Sequence, residues 1–264
     1  MQNLLLPLLA LLFGGGGFGL RRYHLTHFYD ETTMLYDLAA PPFFIILGLG
    51  FGLFLSFLLL VPKNKVETLS FEQVFLSPSG GFLYFYAMGG LLILAQVALT
   101  FLEFVRDPSS SLTFQIILAS VLSVCSGISI LSMAVSARRQ TPVAPRLLAT
   151  LPPFATLPYL VSMYQESVSF PQTTLHIFGL LGAISLTLAH YFICASLFEK
   201  IRPKLVIFFT TIAIFLNLTA LAHLPSPTVF VFLAGNLCVL IAQSVTCCTV
   251  CQKLKNGTLN FNDN

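Results

Sequence analysis

The chain reads as an all-α, polytopic integral membrane helical bundle. Of its 264 residues 56% are hydrophobic and only 9% charged, its mean hydropathy is +0.87, and its apolar residues gather in eight long runs between short polar segments. Soluble domains carry about 25% charged residues, so composition excludes a soluble fold. The runs are continuously apolar and lack the period-two alternation of a membrane barrel, which leaves helices. The basic residues sit in short clusters between runs and form no face for nucleic acid.

A helix crosses the hydrocarbon core with about 20 apolar residues, within a range of about 17–25. Eight transmembrane helices are predicted, at 1–20, 40–61, 81–102, 112–136, 147–164, 175–198, 205–223 and 228–251. The first lacks a basic leader and an A-x-A cleavage site, so it is expected to be retained as a span. The fifth, Leu147 to Tyr164, has 18 residues and contains Pro152, Pro153 and Pro158. Proline removes an amide donor and crowds the preceding turn, so a kink or break is expected there. The alternative is seven spans, with Leu147–Tyr164 re-entrant or interfacial.

The expectation is a single membrane domain, 1–264, with candidate halves 1–136 and 147–251 joined by a cytoplasmic loop, 137–146. Each half opens on an irregular helix, the first with Pro7 and the run Gly14 to Gly17, the second with its three prolines. Interrupted helices at matching positions are the pattern of repeat-built transporters. Glycine and proline are, however, frequent in membrane helices of every kind.

Lysine and arginine in the connecting segments set the orientation. One side holds 10 of them: Lys63, Lys65, Arg138, Arg139, Arg146, Lys200, Arg202, Lys204, Lys253 and Lys255. The other holds 3: Arg21, Arg22 and Arg106. Both termini are therefore expected in the cytoplasm, with the chain in the cell membrane.

In the sixth run His176, Gly179, Ala183, Thr187, His190 and Cys194 fall within about 80° of one another at about 100° per residue. Small and polar residues on one face let membrane helices approach closely, so this stripe should face protein. The seventh run repeats the pattern with Thr210, Ala213, Asn217 and Ala220, and the eighth with Asn236, Gln243 and Cys247. A polar seam of His190, Thr187, Asn217, Asn236 and Gln243 is the expected result. By counting residues along each span, Asn217 should share a layer with Asn236, and His190 a deeper one with Gln243. No Asp, Glu, Lys or Arg falls inside a predicted span. His190 is thus the candidate for a proton- or ion-coupled role, against a structural role in the seam.

Four further histidines, His24, His27, His176 and His223, are predicted at the outer face, with Asp30, Glu31, Asp37, Glu103, Asp107 and Glu166. Imidazole and carboxylate are ordinary metal ligands and paired histidines can hold haem, but the spacings match no ligand motif. No cofactor, metal ligand or catalytic residue is assigned. Cys125, Cys194 and Cys238 lie in spans as small apolar residues, and no disulfide framework is expected. Cys247, Cys248 and Cys251 stand beside Lys253 and Lys255, where acylation occurs in some membrane proteins, though interface-tolerant packing explains them equally. Gly48, Gly50 and Gly52 lie in an apolar run with no preceding strand, unlike a dinucleotide loop. The sequon at Asn256 falls on the cytoplasmic side in this topology.

The segments FGGGGFGLRRYHL, LPPFATLPYLVSMY and HYFICASLFEKIRPK resemble multi-pass membrane proteins of no assigned function from Gram-positive, clostridia-like bacteria. The likeness covers the two ends of the chain better than Val61 to Arg138. It implies a bacterial cytoplasmic membrane and carries over no activity, substrate or site residue.

With short connections and no soluble domain, the expected function is non-catalytic: a sensing, accessory or partner-binding membrane component. Its partners would be the lipid bilayer and another membrane protein or further copies of itself. The alternative is a small-solute or lipid transporter with a site near the sixth span. A membrane enzyme or a haem- or metal-binding anchor is the third reading. A water-filled cavity reaching His190 would favour transport, and a packed seam would favour the first reading.

Overall fold

The computed structural model describes residues 2–30, 35–37, 39–61, 80–106, 114–139, 150–169, 173–195, 203–223 and 226–255. Among these are eight α-helices: α1 Gln2–His27, α2 Pro41–Leu60, α3 Gly80–Arg106, α4 Phe114–Arg139, α5 Leu151–Ser169, α6 Thr173–Ala195, α7 Pro203–Ala220 and α8 Pro227–Lys255. Seven are long and apolar enough to cross a membrane. The exception is α5, whose last turns carry Gln165, Glu166 and Ser167. A two-residue antiparallel ladder pairs β1 Tyr29–Asp30 with β2 Leu35–Tyr36 between α1 and α2. A 3₁₀ turn, Leu221–His223, ends α7.

Two sequence expectations need correction. The fifth helix is continuous from Leu151 to Ser169. Pro152 and Pro153 stand in its first turn, where a missing amide costs nothing because those donors are unpaired anyway. They start the helix instead of breaking it. All three prolines are buried, so this face of α5 packs against protein, where a missing donor at Pro158 can be tolerated.

The first helix runs on past Leu20 to His27, so Arg21 and Arg22 belong to a helix and not to a loop. Arg21 is 1% exposed. The two candidate halves pack on each other: α1 packs on α7, and the most extensive contact in the bundle joins α3 to α8.

Helices α3, α4, α5, α6, α7 and α8 form a closed ring in which each packs on the next and α8 returns to α3. Helix α1 lies against α7 and α8, and α2 lies mainly on α1. Burial follows this plan. Most of α7 is buried, while α2 exposes Phe44, Ile45, Leu47, Phe51, Leu55 and Leu59. Such an apolar surface would drive aggregation in water and is the expected lipid-facing side of a membrane helix.

Glycines set the closest approaches. A Cβ on Gly89 would lie 2.7 Å from the Gly235 carbonyl oxygen, and one on Gly235 2.9 Å from that of Gly89. Helices α3 and α8 therefore touch backbone to backbone. Gly90 and Gly127 do the same for α3 and α4. In the glycine run of α1, Gly14 and Gly17 press on Leu218 and Thr219 of α7, while Gly15 faces open space. Close approach raises dispersion contact where no hydrophobic force between helices exists.

These positions predict opposite signs for one substitution. Gly235→Ala should destabilise the detergent-solubilised protein by about 1–3 kcal/mol through overpacking. Gly15→Ala should leave stability unchanged or raise it by up to about 1 kcal/mol, from helix propensity. Thermal unfolding midpoints of the two variants check this, and equal shifts would contradict the packing account.

Candidate functional site

The polar seam is built from the inward faces of α6, α7 and α8. His190, Asn217, Asn236 and Gln243 are all buried, and the stripe from His176 to Cys194 is buried or half-buried while Ile177, Leu181, Ile184 and Tyr191 are exposed. The pairs found differ from the expected layers at both levels. His190 Nε2 lies 2.9 Å from Asn236 Oδ1, and so donates to it. Gln243 Nε2 instead donates to the hydroxyl of Tyr86 on α3, at 3.1 Å, and that hydroxyl points at the Met133 sulfur on α4, at 3.7 Å. Asn217 Nδ2 donates to the carbonyls of Gly182 and Ala213, at 3.0 and 2.8 Å. Thr187 bonds only its own helix, at the Ala183 carbonyl, and does not join these pairs.

The shift in partner has a geometric cause. His190 lies 14 positions below His176, whereas Asn236 lies 9 below Pro227. At about 1.5 Å per residue, the start of α8 must therefore sit about 7 Å deeper than His176. The turn Leu221–His223, with Leu221 and Ala222 buried, leads into that recessed start, and it leaves room above α8.

That room is a cavity of about 270 Å³ between α1, α5, α6, α7 and α8. Its floor and walls are Met163, Phe178, Val229 and Leu233, and its polar lining includes Arg21, Glu166, His176, His223 and Ser226. Arg21 is held in place. Its Nη1 donates to His24 Nδ1 at 2.8 Å, and its guanidinium lies 5.2 Å from the centre of the Phe178 ring. His24 in turn donates from Nε2 to the carbonyl of Asp37 at 2.8 Å, tying the segment before α2 to the end of α1. His176 meets His223 edge to face with ring centres 5.6 Å apart, and its Nδ1 lies 3.7 Å from Glu166.

The four histidines expected at one face therefore separate. His176 and His223 share the cavity, His24 stands behind Arg21, and His27 is exposed and stacked on Tyr23. Among the described residues no group of three His, Cys, Asp or Glu is placed to hold a metal ion.

A second cavity of about 340 Å³ lies between α3, α4, α5 and α8, with Gln96, Thr100, Glu103, Ser123 and Ser162 in its lining. Tyr159 and Val229 line both cavities, and Tyr159 packs on Phe232 at 5.6 Å.

Sequence reasoning placed Glu166 at the same face as His176 and His223 but missed Arg21 and Tyr159 as parts of a site. Two signals pointed to Arg21. The Arg21–His24 spacing is the i, i+3 relation of one helix face, and no turn residue separates Leu20 from Arg21. Compared with protein-family models, curated proteins and solved structures, the chain gives no match.

Removing the guanidinium leaves His24 Nδ1 without this donor inside the protein. Arg21→Met should therefore cost about 1–3 kcal/mol of stability. Arg22→Met, at the exposed neighbouring position, should cost less than about 0.5 kcal/mol. Unfolding midpoints in detergent measure both, and similar losses would mean that Arg21 is not the anchor described.

Proposed function

We propose that this protein is a non-catalytic sensing component of a bacterial cytoplasmic membrane, which binds a small solute in the cavity beside Arg21. The observation that carries the reading is a cavity lined by a buried charge and closed below by packed polar pairs. Small-molecule sites are concave, largely apolar, and carry a few placed polar groups, and this cavity has that make-up. Beneath it, His190 is 2% exposed, bonded to Asn236, and part of neither cavity lining. A transporter would need a wet path past this level, so the packed pair supports binding without passage.

In this proposal the histidine end faces outward. That side carries three basic residues, Arg21, Arg22 and Arg106, against ten on the side opposite, in keeping with the positive-inside pattern. The cavity then opens to the exterior and the cysteine-rich end of α8 to the cytoplasm. The bacterial membrane rests on the resemblance of the chain's two ends.

Cysteine labelling tests the reading in intact cells. Ser226→Cys should react with a membrane-impermeant maleimide added outside, and Asn236→Cys should stay unlabelled from either face. Peptide mass spectrometry locates the label. Labelling of Asn236→Cys from both faces would favour transport, and failure at Ser226→Cys from outside would overturn the orientation.

A further inference from the structure

The second cavity, between α3, α4, α5 and α8, gathers hydroxyls that the bundle leaves unused. Ser120 and Ser123 line it from α4, and Tyr159 and Ser162 from α5. Each pair has the i, i+3 spacing of one helix face, and the two helices pack on each other. Among the described residues none of these four hydroxyls has a hydrogen-bond partner. Buried hydroxyls elsewhere in the bundle behave differently. Ser185, Thr210, Thr211 and Thr219 each donate to a carbonyl of their own helix, at 2.9, 2.7, 2.8 and 2.9 Å. Ser123 is 3% exposed, but its oxygen is not sealed off as the side-chain oxygen of Gln96 is, so its access is through the cavity it lines. Gln96 and Thr100, in the same lining, satisfy each other instead. Gln96 Nε2 donates to Thr100 Oγ1, and Thr100 Oγ1 donates to the Gln96 backbone carbonyl, both at 3.1 Å.

Charge narrows the occupant. Among the described residues the lining carries one charged group, Glu103, which is exposed. An anion would meet no counter-charge there and would lie in the field of Glu103. A cation would gain little from a carboxylate that water already solvates. A neutral molecule meets neither difficulty. Each unused hydroxyl can both donate and accept, and holding it without a partner away from water costs free energy. Its complement is a ligand with several hydroxyls of its own. The rings of Tyr159 and Phe232 and the side chain of Ile116 add apolar wall for the carbon face of such a ligand. The volume of about 340 Å³ falls in the range of small-molecule pockets, about 300–1,000 Å³.

We propose that this cavity binds a neutral polyhydroxylated ring, a hexose or cyclic polyol, free or as the head group of a glycolipid, with its hydroxyls on Ser120, Ser123, Tyr159 and Ser162. It is a further site, independent of the solute proposed beside Arg21.

Titration calorimetry tests this on the full chain purified in a polyoxyethylene detergent, which carries no sugar to compete. The probes are glucose, galactose and myo-inositol, with gluconate (anionic) and cyclohexanol (one hydroxyl) as controls. At least one of the first three should bind saturably, and both controls at least about tenfold more weakly than it, since each lost hydrogen bond weakens binding about threefold to tenfold. Ser123→Ala and Ser162→Ala should each weaken it by about that factor without lowering the unfolding midpoint, because neither breaks a bond within the protein. Ser56→Ala, on α2 and in neither cavity lining, removes a hydroxyl that donates to the Gly52 carbonyl and should leave binding unchanged. No saturable binding of the three polyols, binding of cyclohexanol or gluconate as tight as theirs, or an equal response to Ser56→Ala and the two cavity variants would each overturn the assignment. Octyl glucoside below its micellar concentration then separates the sources. Binding tighter than both glucose and octanol supports the site as one for a lipid-borne head group, and binding no tighter than glucose supports it as one for free sugar.

Discussion

Hydrocarbon offers no hydrogen bonds, and the arrangement of this bundle follows from that constraint. An unpaired amide or imidazole at membrane depth costs free energy that water would otherwise supply. The polar side chains of α6, α7 and α8 consequently turn inward, where His190 meets Asn236 and Gln243 meets Tyr86. Each such bond in a membrane contributes about 0.6 kcal/mol on average and up to about 1.7. Their value is therefore more in fixing which helix faces which than in gross stability. Glycine contacts act on the same surfaces. Gly89 against Gly235 draws α3 onto α8, which brings Tyr86 within reach of Gln243 eight positions further along α8.

The cavity is a consequence of where this packing stops. Because the turn after α7 is recessed and α8 starts low, the ring is filled at the level of Asn236 and open above Leu233. Arg21 reaches that space only because α1 stays helical beyond its apolar run and lies against α7. The run Gly14 to Gly17 permits the lie, with Gly14 and Gly17 taking the contact. One charged side chain is thus placed by features of three helices, none of which binds anything itself.

Composition and periodicity made the class of fold and the inward faces legible, because both depend only on local spacing. The stripe through His176, Ala183 and His190 faces protein as its 3.6-residue period implies. Depth was not legible. Counting along each span assumed that 175 and 228 start level, and the recessed turn Leu221–His223 breaks that assumption, so His190 finds Asn236 where Gln243 was expected. Pro152 and Pro153 misled because proline reads as a breaker unless the first turn of the helix is known. Arg21 reads as a loop marker in the sequence, since arginine normally ends an apolar run. Its burial depends on Phe178, which tertiary packing contributes, as well as on His24 of its own helix.

The central claim is that paired polar side chains close the bundle beneath the cavity. A double-mutant cycle on His190→Leu and Asn236→Leu measures it directly, with unfolding free energies of the two single variants and the double variant in the same detergent. Each single change strands one buried partner, whereas the double change removes both. The account predicts that the double variant loses less than the two single losses combined, with a coupling of about 0.6–1.7 kcal/mol. Strictly additive losses would contradict it.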